Sequence, residues 1–187
     1  NRPFTRSNGG LASDYRGMEY FSYREDAGGR ELFAEDVALS QLAERFGTPC
    51  FVYSSAALVW RFKAFAEELV AALVCYSLKA NDNLAVVRCL GGEGAGADIV
   101  SGGELRRALV AGIAPANIVF AGVGKTGVEL ADALDAGIGQ FNVESEDELE
   151  LLASLPSARG VQALIALRVN PDVDAKTHDN ISTGRAK

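Results

Sequence analysis

The strongest constraint on this chain is a spacing. From residue 74 onward a short apolar run, a polar junction, an amphipathic stretch and a glycine recur: VCYSL (74–78), ADIV (97–100), IVFAG (118–122), FNV (141–143) and ALIALRV (163–169). The runs begin roughly twenty-odd residues apart, the length needed for one strand and one crossover helix. A strand that returns parallel to its predecessor needs such a crossover, because a tight turn reverses direction. The spacing therefore predicts a series of βα units.

The junctions support this reading. Ser101 with Glu104, Thr126 with Glu129 and Ser145 with Glu148 each form an S/T-x-x-E pattern, in which the two side chains satisfy free N–H groups at a helix start. Each following segment carries an apolar stripe: Leu105, Ala108 and Leu109; Leu130, Ala131 and Leu134; Leu149 and Leu152. Gly112 and Gly137 stand where C-terminal helix caps belong. The runs read as apolar on both faces, the pattern of a parallel sheet covered by helices.

Upstream, VALSQLAERF predicts a helix, GTP a turn, CFVYS a further strand, and the segment from about Ser55 a longer helix bearing Trp60. Residues 18–36 lack a clean period and read as irregular apart from strands at EYFSYR and RELFA. The first 17 residues are polar and glycine-rich and read as a flexible leader. The organisation expected is therefore a leader (1–17), an N-terminal segment (18–45) and a partial (β/α) barrel domain (46–187).

Composition removes several function classes. A net charge of -7 and a pI near 4.8 disfavour a nucleic-acid surface, which needs clustered Lys and Arg. No run approaches the roughly 18 apolar residues of a membrane span. Cys50, Cys75 and Cys89 are odd in number, lack CxxC spacing and sit in apolar runs, so free buried thiols in a reducing cytoplasm are expected. With one histidine and no cysteine cluster, no zinc site is expected.

A parallel βα array presents chemistry at the C-terminal ends of its strands. Those positions hold Lys79, Asp98 to Ser101, Gly122 to Lys125, Asn142 to Glu144 and Arg168 to Asn170. Lys79 is open to two readings: a solvated surface charge, or an amine that forms a Schiff base with a carbonyl, a task for a lysine held rigidly and partly desolvated. AGVGKT (121–126) suggests a phosphate-binding loop, but a complete P-loop needs glycine where Val119 stands, so a tight turn capped by Thr126 is expected instead. Glu146, Asp147, Glu148 and Glu150 read as first-turn and helix-face charges. His178 lies in the long polar segment DAKTHDNISTG, as an exposed loop histidine or part of a functional loop.

The strings YSLKAN, GADIVSGGELRRAL, IVFAGVGKT, FNVESEDEL and LRVNPDVDAKTHDNISTG, in this order and spacing, resemble the diaminopimelate decarboxylase family, and the resemblance spans about residues 18–187. It implies an α/β protein: a (β/α)8 TIM-type barrel of fold type III that binds pyridoxal 5'-phosphate (PLP). Only the N-terminal part, about six βα units, would be present, and a second, largely β domain would be absent. The implied reaction converts meso-2,6-diaminopimelate to L-lysine and CO2 in bacterial lysine biosynthesis. Lys79 then corresponds to the lysine that binds the PLP aldehyde, Asp98 to a residue beside the cofactor, Arg168 to a strand-end arginine holding the acid that faces the pyridine nitrogen, and His178 to a motif near the active site. A homodimer with its active site between subunits is implied as well.

Family members run to roughly twice this length. The resemblance therefore implies a fragment that lacks the cofactor-stacking histidine, the glycine-rich phosphate loops, the acid at the pyridine nitrogen and a partner's cysteine, and little or no activity is expected of it. The alternatives are another PLP decarboxylase or racemase of this fold, acting on ornithine or arginine, or a non-catalytic PLP-carrier barrel.

Overall fold

A computed structural model describes residues 20–26, 29–69, 71–155 and 162–169. The chain divides into two units, Asn1–Arg61 and Phe62–Lys187.

The first unit contains an antiparallel hairpin of β1 (Phe21–Asp26) and β2 (Gly29–Ala34), in register from Phe21 opposite Ala34 to Asp26 opposite Gly29. The short β3 (Val37–Ala38) extends it. Helix α1 (Leu39–Phe46) follows and stops at Gly47, whose φ of 78° is open to a residue without Cβ. Helix α2 (Ser55–Ala66) begins in this unit, at the residue expected. Its first turn is satisfied from outside the helix: Ala56 N–H donates to Glu35 Oε1 at 3.0 Å, and Ser54 Oγ donates to the same oxygen at 2.8 Å. The Ala56 N–H, then the Ser54 hydroxyl, hold the Glu35 carboxyl below its ordinary pKa.

CFVYS does not form a strand. Residues 51–54 have no ladder partner among the described residues, and Phe51 is 90% exposed. An extended segment becomes a strand only where a neighbouring backbone accepts its hydrogen bonds, and here Ser54 turns onto Glu35 instead.

The second unit carries the predicted βα series. Strands β4 (Cys75–Ser77), β5 (Gly96–Ile99), β6 (Ile118–Phe120), β7 (Gln140–Val143) and β8 (Ile165–Leu167) form a five-stranded sheet, all parallel and ordered as in the sequence. The connections run through α3 (Leu84–Gly92), α4 (Gly102–Ala111), α5 (Gly127–Ala136) and α6 (Glu146–Ser154). A doubly wound sheet reverses its strand order at a switch point, whereas a barrel adds strands in sequence; this order is the barrel's.

The sheet's two faces differ, contrary to the expectation of strands apolar on both sides. Burial alternates along β5, β6 and β7. Ala97, Ile99, Ile118, Phe120, Phe141 and Val143 are buried with Leu105, Ala108, Leu130, Ala133, Leu134 and Leu152 of the helices. The rings of Phe120 and Phe141 lie 6.5 Å apart at its centre. Burying each such side chain contributes about 1.5–3 kcal/mol. The opposite face carries half-buried Ser77, Asp98, Val119, Gln140 and Asn142.

Gly112 and Gly137 end α4 and α5 in the left-handed conformation, φ 92° and 70°, as their positions predict. The thiols differ from expectation: Cys50 is exposed, Cys75 and Cys89 are half-buried, and all three are free. Cys75 and Cys89 lie beside the core rather than in it, and Cys50 follows a turn instead of entering a strand.

Candidate functional site

Register determines which side chains meet. Ser77 pairs with Asp98, Asp98 with Val119, and Val119 with Gln140; Asn142 pairs with Ala166. Side chains alternate along a strand, so these residues share one face, and that face is the polar one. It lines a cleft of about 540 Å³ whose polar walls are Asp98, Asn142, Glu144 and Arg168, with Cys75 and Val119 nearer the strand starts. Asp98 and Arg168, singled out from the sequence, therefore meet in one cleft. Burial, then the charge of Asp98, pushes the Cys75 thiol pKa up.

Lys79 does not line this cleft. It lies on a 3-10 turn, Leu78–Ala80, at the C-terminal end of β4, next to the strand that carries Asp98. The turn is braced on both sides. Leu78 is 0% exposed, and Tyr76 Oη donates to the carbonyl of Asn81 at 3.1 Å, while Asn81 Oδ1 accepts from Asn83 N–H at 3.1 Å. The Lys79 side chain is exposed, without a hydrogen-bond or ion-pair partner among the described residues. One residue upstream of the turn, Ser77 Oγ is buried without a hydrogen-bond partner among the described residues. His178 lies outside the described residues.

Arg168 reaches the site through Glu144. Its Nη1 donates to Glu144 Oε1 at 3.0 Å and Oε2 at 3.1 Å. Glu144 Oε1 also accepts from Gly122 N–H at 3.0 Å. The loop that resembled a phosphate cradle supplies this N–H and a buried cation. Lys125 Nζ donates to Gly122 O at 2.8 Å, Asn142 O at 2.7 Å and Glu148 Oε1 at 2.7 Å. An ammonium has three donors, so none remains for a phosphate. Gly122 and Gly124, at φ 93° and 73°, make the tight turn expected instead.

The three helix starts also diverge. At α5, Thr126 and Glu129 form the full reciprocal box. Ser101 and Ser145 accept the N–H of Glu104 and Glu148 as expected. The carboxylates of those two glutamates reach one residue farther back, to Val100 N–H at 2.7 Å and Glu144 N–H at 3.3 Å. Both are buried, so Glu148 is not the helix-face charge that its acidic neighbours suggested. The missed signal was its capping position combined with a lysine one strand earlier.

A family model described as "Pyridoxal-dependent decarboxylase, pyridoxal binding domain" matches residues 55–187. Diaminopimelate decarboxylase of Pseudomonas aeruginosa is 54% identical over 169 residues, covering 89% of this chain and 40% of that protein. The same enzyme of Aquifex aeolicus is 54% identical over 169 residues, with 90% and 40% covered. In the crystal structure of diaminopimelate decarboxylase from Helicobacter pylori complexed with L-lysine, 41% identity accompanies a TM-score of 0.71 over 78% of this chain and 38% of that one. The chain thus spans about 40% of the length of the curated relatives it matches.

Proposed function

This chain belongs to the pyridoxal-dependent decarboxylases, and on that premise we propose that its protein removes a carboxyl group from meso-2,6-diaminopimelate to give L-lysine and CO2. The observation that carries the proposal is Lys79: an amine without a partner among the described residues, on a turn braced by Leu78 and Asn81, at the end of a parallel strand. The relatives from Pseudomonas aeruginosa and Aquifex aeolicus, each 54% identical to this chain, carry the diaminopimelate decarboxylase name.

Two features fit pyridoxal 5'-phosphate. One is the amine of Lys79 and the other the hydroxyl of Ser77, in register with Asp98, both without a partner among the described residues. When bound, the cofactor supplies an electron-accepting pyridinium ring that takes the electron pair left as CO2 departs, after which a proton replaces the carboxyl group. Lys79 would bind the aldehyde carbon through Nζ, its position restricted by the braced backbone. Asp98 would lie beside the cofactor. Arg168 would present positive charge to the acid that holds the ring nitrogen. We assign His178 to the same site through the family motif that contains it. A homodimer and a cytoplasmic location complete the reading; the three unpaired cysteines suit a reducing compartment.

The test is the intact mass and visible spectrum of the purified protein with added PLP, before and after borohydride, for wild type and Lys79→Ala. A reduced adduct on the wild type, absent from the variant, is expected. An adduct that persists in Lys79→Ala would remove the assignment. Assays of the full-length protein on diaminopimelate, ornithine and arginine separate the substrates, and CO2 release from diaminopimelate alone is expected.

A further inference from the structure

We propose that Glu144 is a positioning residue that orients Arg168 at the cleft and is itself anchored by the buried Lys125–Glu148 pair. The inference rests on the cofactor reading above and extends it to residues that reading does not use.

The contacts run through three successive strand ends. Arg168 follows β8, Glu144 follows β7, and Gly122 and Lys125 lie in the loop after β6. The Glu144 side chain is 9% exposed against 50% for Arg168, so the carboxylate is the fixed member and the guanidinium the member that reaches out. Three groups fix it: Gly122 N–H on Oε1, Glu148 Oε2 on its backbone N–H, and behind both the Lys125 ammonium, which ties Gly122 O to Glu148 Oε1. Arg168 uses only Nη1 on Glu144. Its Nη2 and Nε have no partner among the described residues, which leaves a directed pair of donors for a carboxylate in the cleft.

A competing account makes Glu144 a loop tie only, present for Gly122. Glu144→Gln separates the two, because the amide keeps an oxygen for Gly122 N–H while losing the charge that faces Arg168.

The experiment measures PLP affinity by absorbance titration, and the absorption maximum of bound PLP, in the full-length protein as wild type, Glu144→Gln, Arg168→Ala and the double variant. Thermal melting establishes that each is folded. Each single variant should weaken PLP binding about tenfold, and the double variant also about tenfold, because the second change removes nothing the first had left. Glu144→Gln should also move the absorption maximum, which a loop tie would not do. Wild-type affinity in Glu144→Gln, or single effects that multiply to about a hundredfold in the double variant, would overturn the inference and leave the cofactor reading standing. No PLP binding by the wild type would overturn both.

Discussion

Lys125 Nζ lies 2.7 Å from Glu148 Oε1, with 1% and 6% of the two side chains exposed. A pair this dry stabilises only as a pair, because removing one member leaves the other charged and unsolvated. Lys125→Met should therefore cost about 3–5 kcal/mol. Adding Glu148→Gln should recover part of that loss, since the amide can still accept from Glu144 N–H. Denaturant midpoints of the three proteins check this; equal midpoints for the wild type and Lys125→Met would refute it.

Acidification should weaken the start of α5. The Gly102 N–H, then the Thr126 N–H, hold the Glu129 carboxyl below its ordinary value of 4.5. A carboxylate with a depressed folded-state pKa contributes its full stability above the unfolded value and loses it as pH falls through the folded one. Glu129→Gln should thus lower stability near pH 7 by only about 0.5 kcal/mol, because the amide still fills the box and the lost charge is screened by solvent. The difference between the two proteins should shrink below pH 4.5. Urea unfolding at a series of pH values measures the effect.

Two glycines should respond differently to alanine. A Cβ on Gly139 would meet Ala116 O at 2.1 Å and Ala116 C at 2.9 Å, both backbone, whereas one on Gly112 would meet nothing within 4 Å and would only strain φ 92°. Gly112→Ala should cost about 1 kcal/mol. Gly139→Ala should cost more, about 2–3 kcal/mol or above, because the β6 to β7 junction must move. Thermal melts rank the two.

Thiol labelling should follow exposure and charge. Cys50 is exposed, while Cys75 is half-buried and its pKa is pushed up by burial and by Asp98. The thiolate is the reactive form, so iodoacetamide at neutral pH should modify Cys50 well before Cys75, read by peptide mass.

The features legible in the sequence were those encoded over a few residues. Runs of apolar residues located β4 to β8, and Ser101, Thr126 and Ser145 located the starts of α4, α5 and α6, because cap and periodicity are local. Asp98 and Arg168 could be placed at strand ends on the same grounds. The polarity of the sheet's inner face was not legible, since it depends on the register that aligns Ser77 with Asp98 and Asn142 with Ala166. The same holds for Glu148, whose neighbours Glu146 and Asp147 face solvent while it turns inward to a lysine 23 residues earlier. CFVYS has the composition of a strand, but pairing requires a partner that composition does not report.

Glu129 also serves two helices at once. It accepts from Gly102 N–H at the start of α4 at 2.8 Å and from Thr126 N–H at the start of α5 at 3.0 Å. Neighbouring βα units are thereby joined through a shared carboxylate as well as through their apolar surfaces. Opening the first turn of α5 costs α4 one of its caps, so α4 should fray when α5 does. Local unfolding that starts at α5 then extends over a pair of units rather than one, and the amide of Gly102 opens with that of Thr126 despite the 23 residues of chain between them.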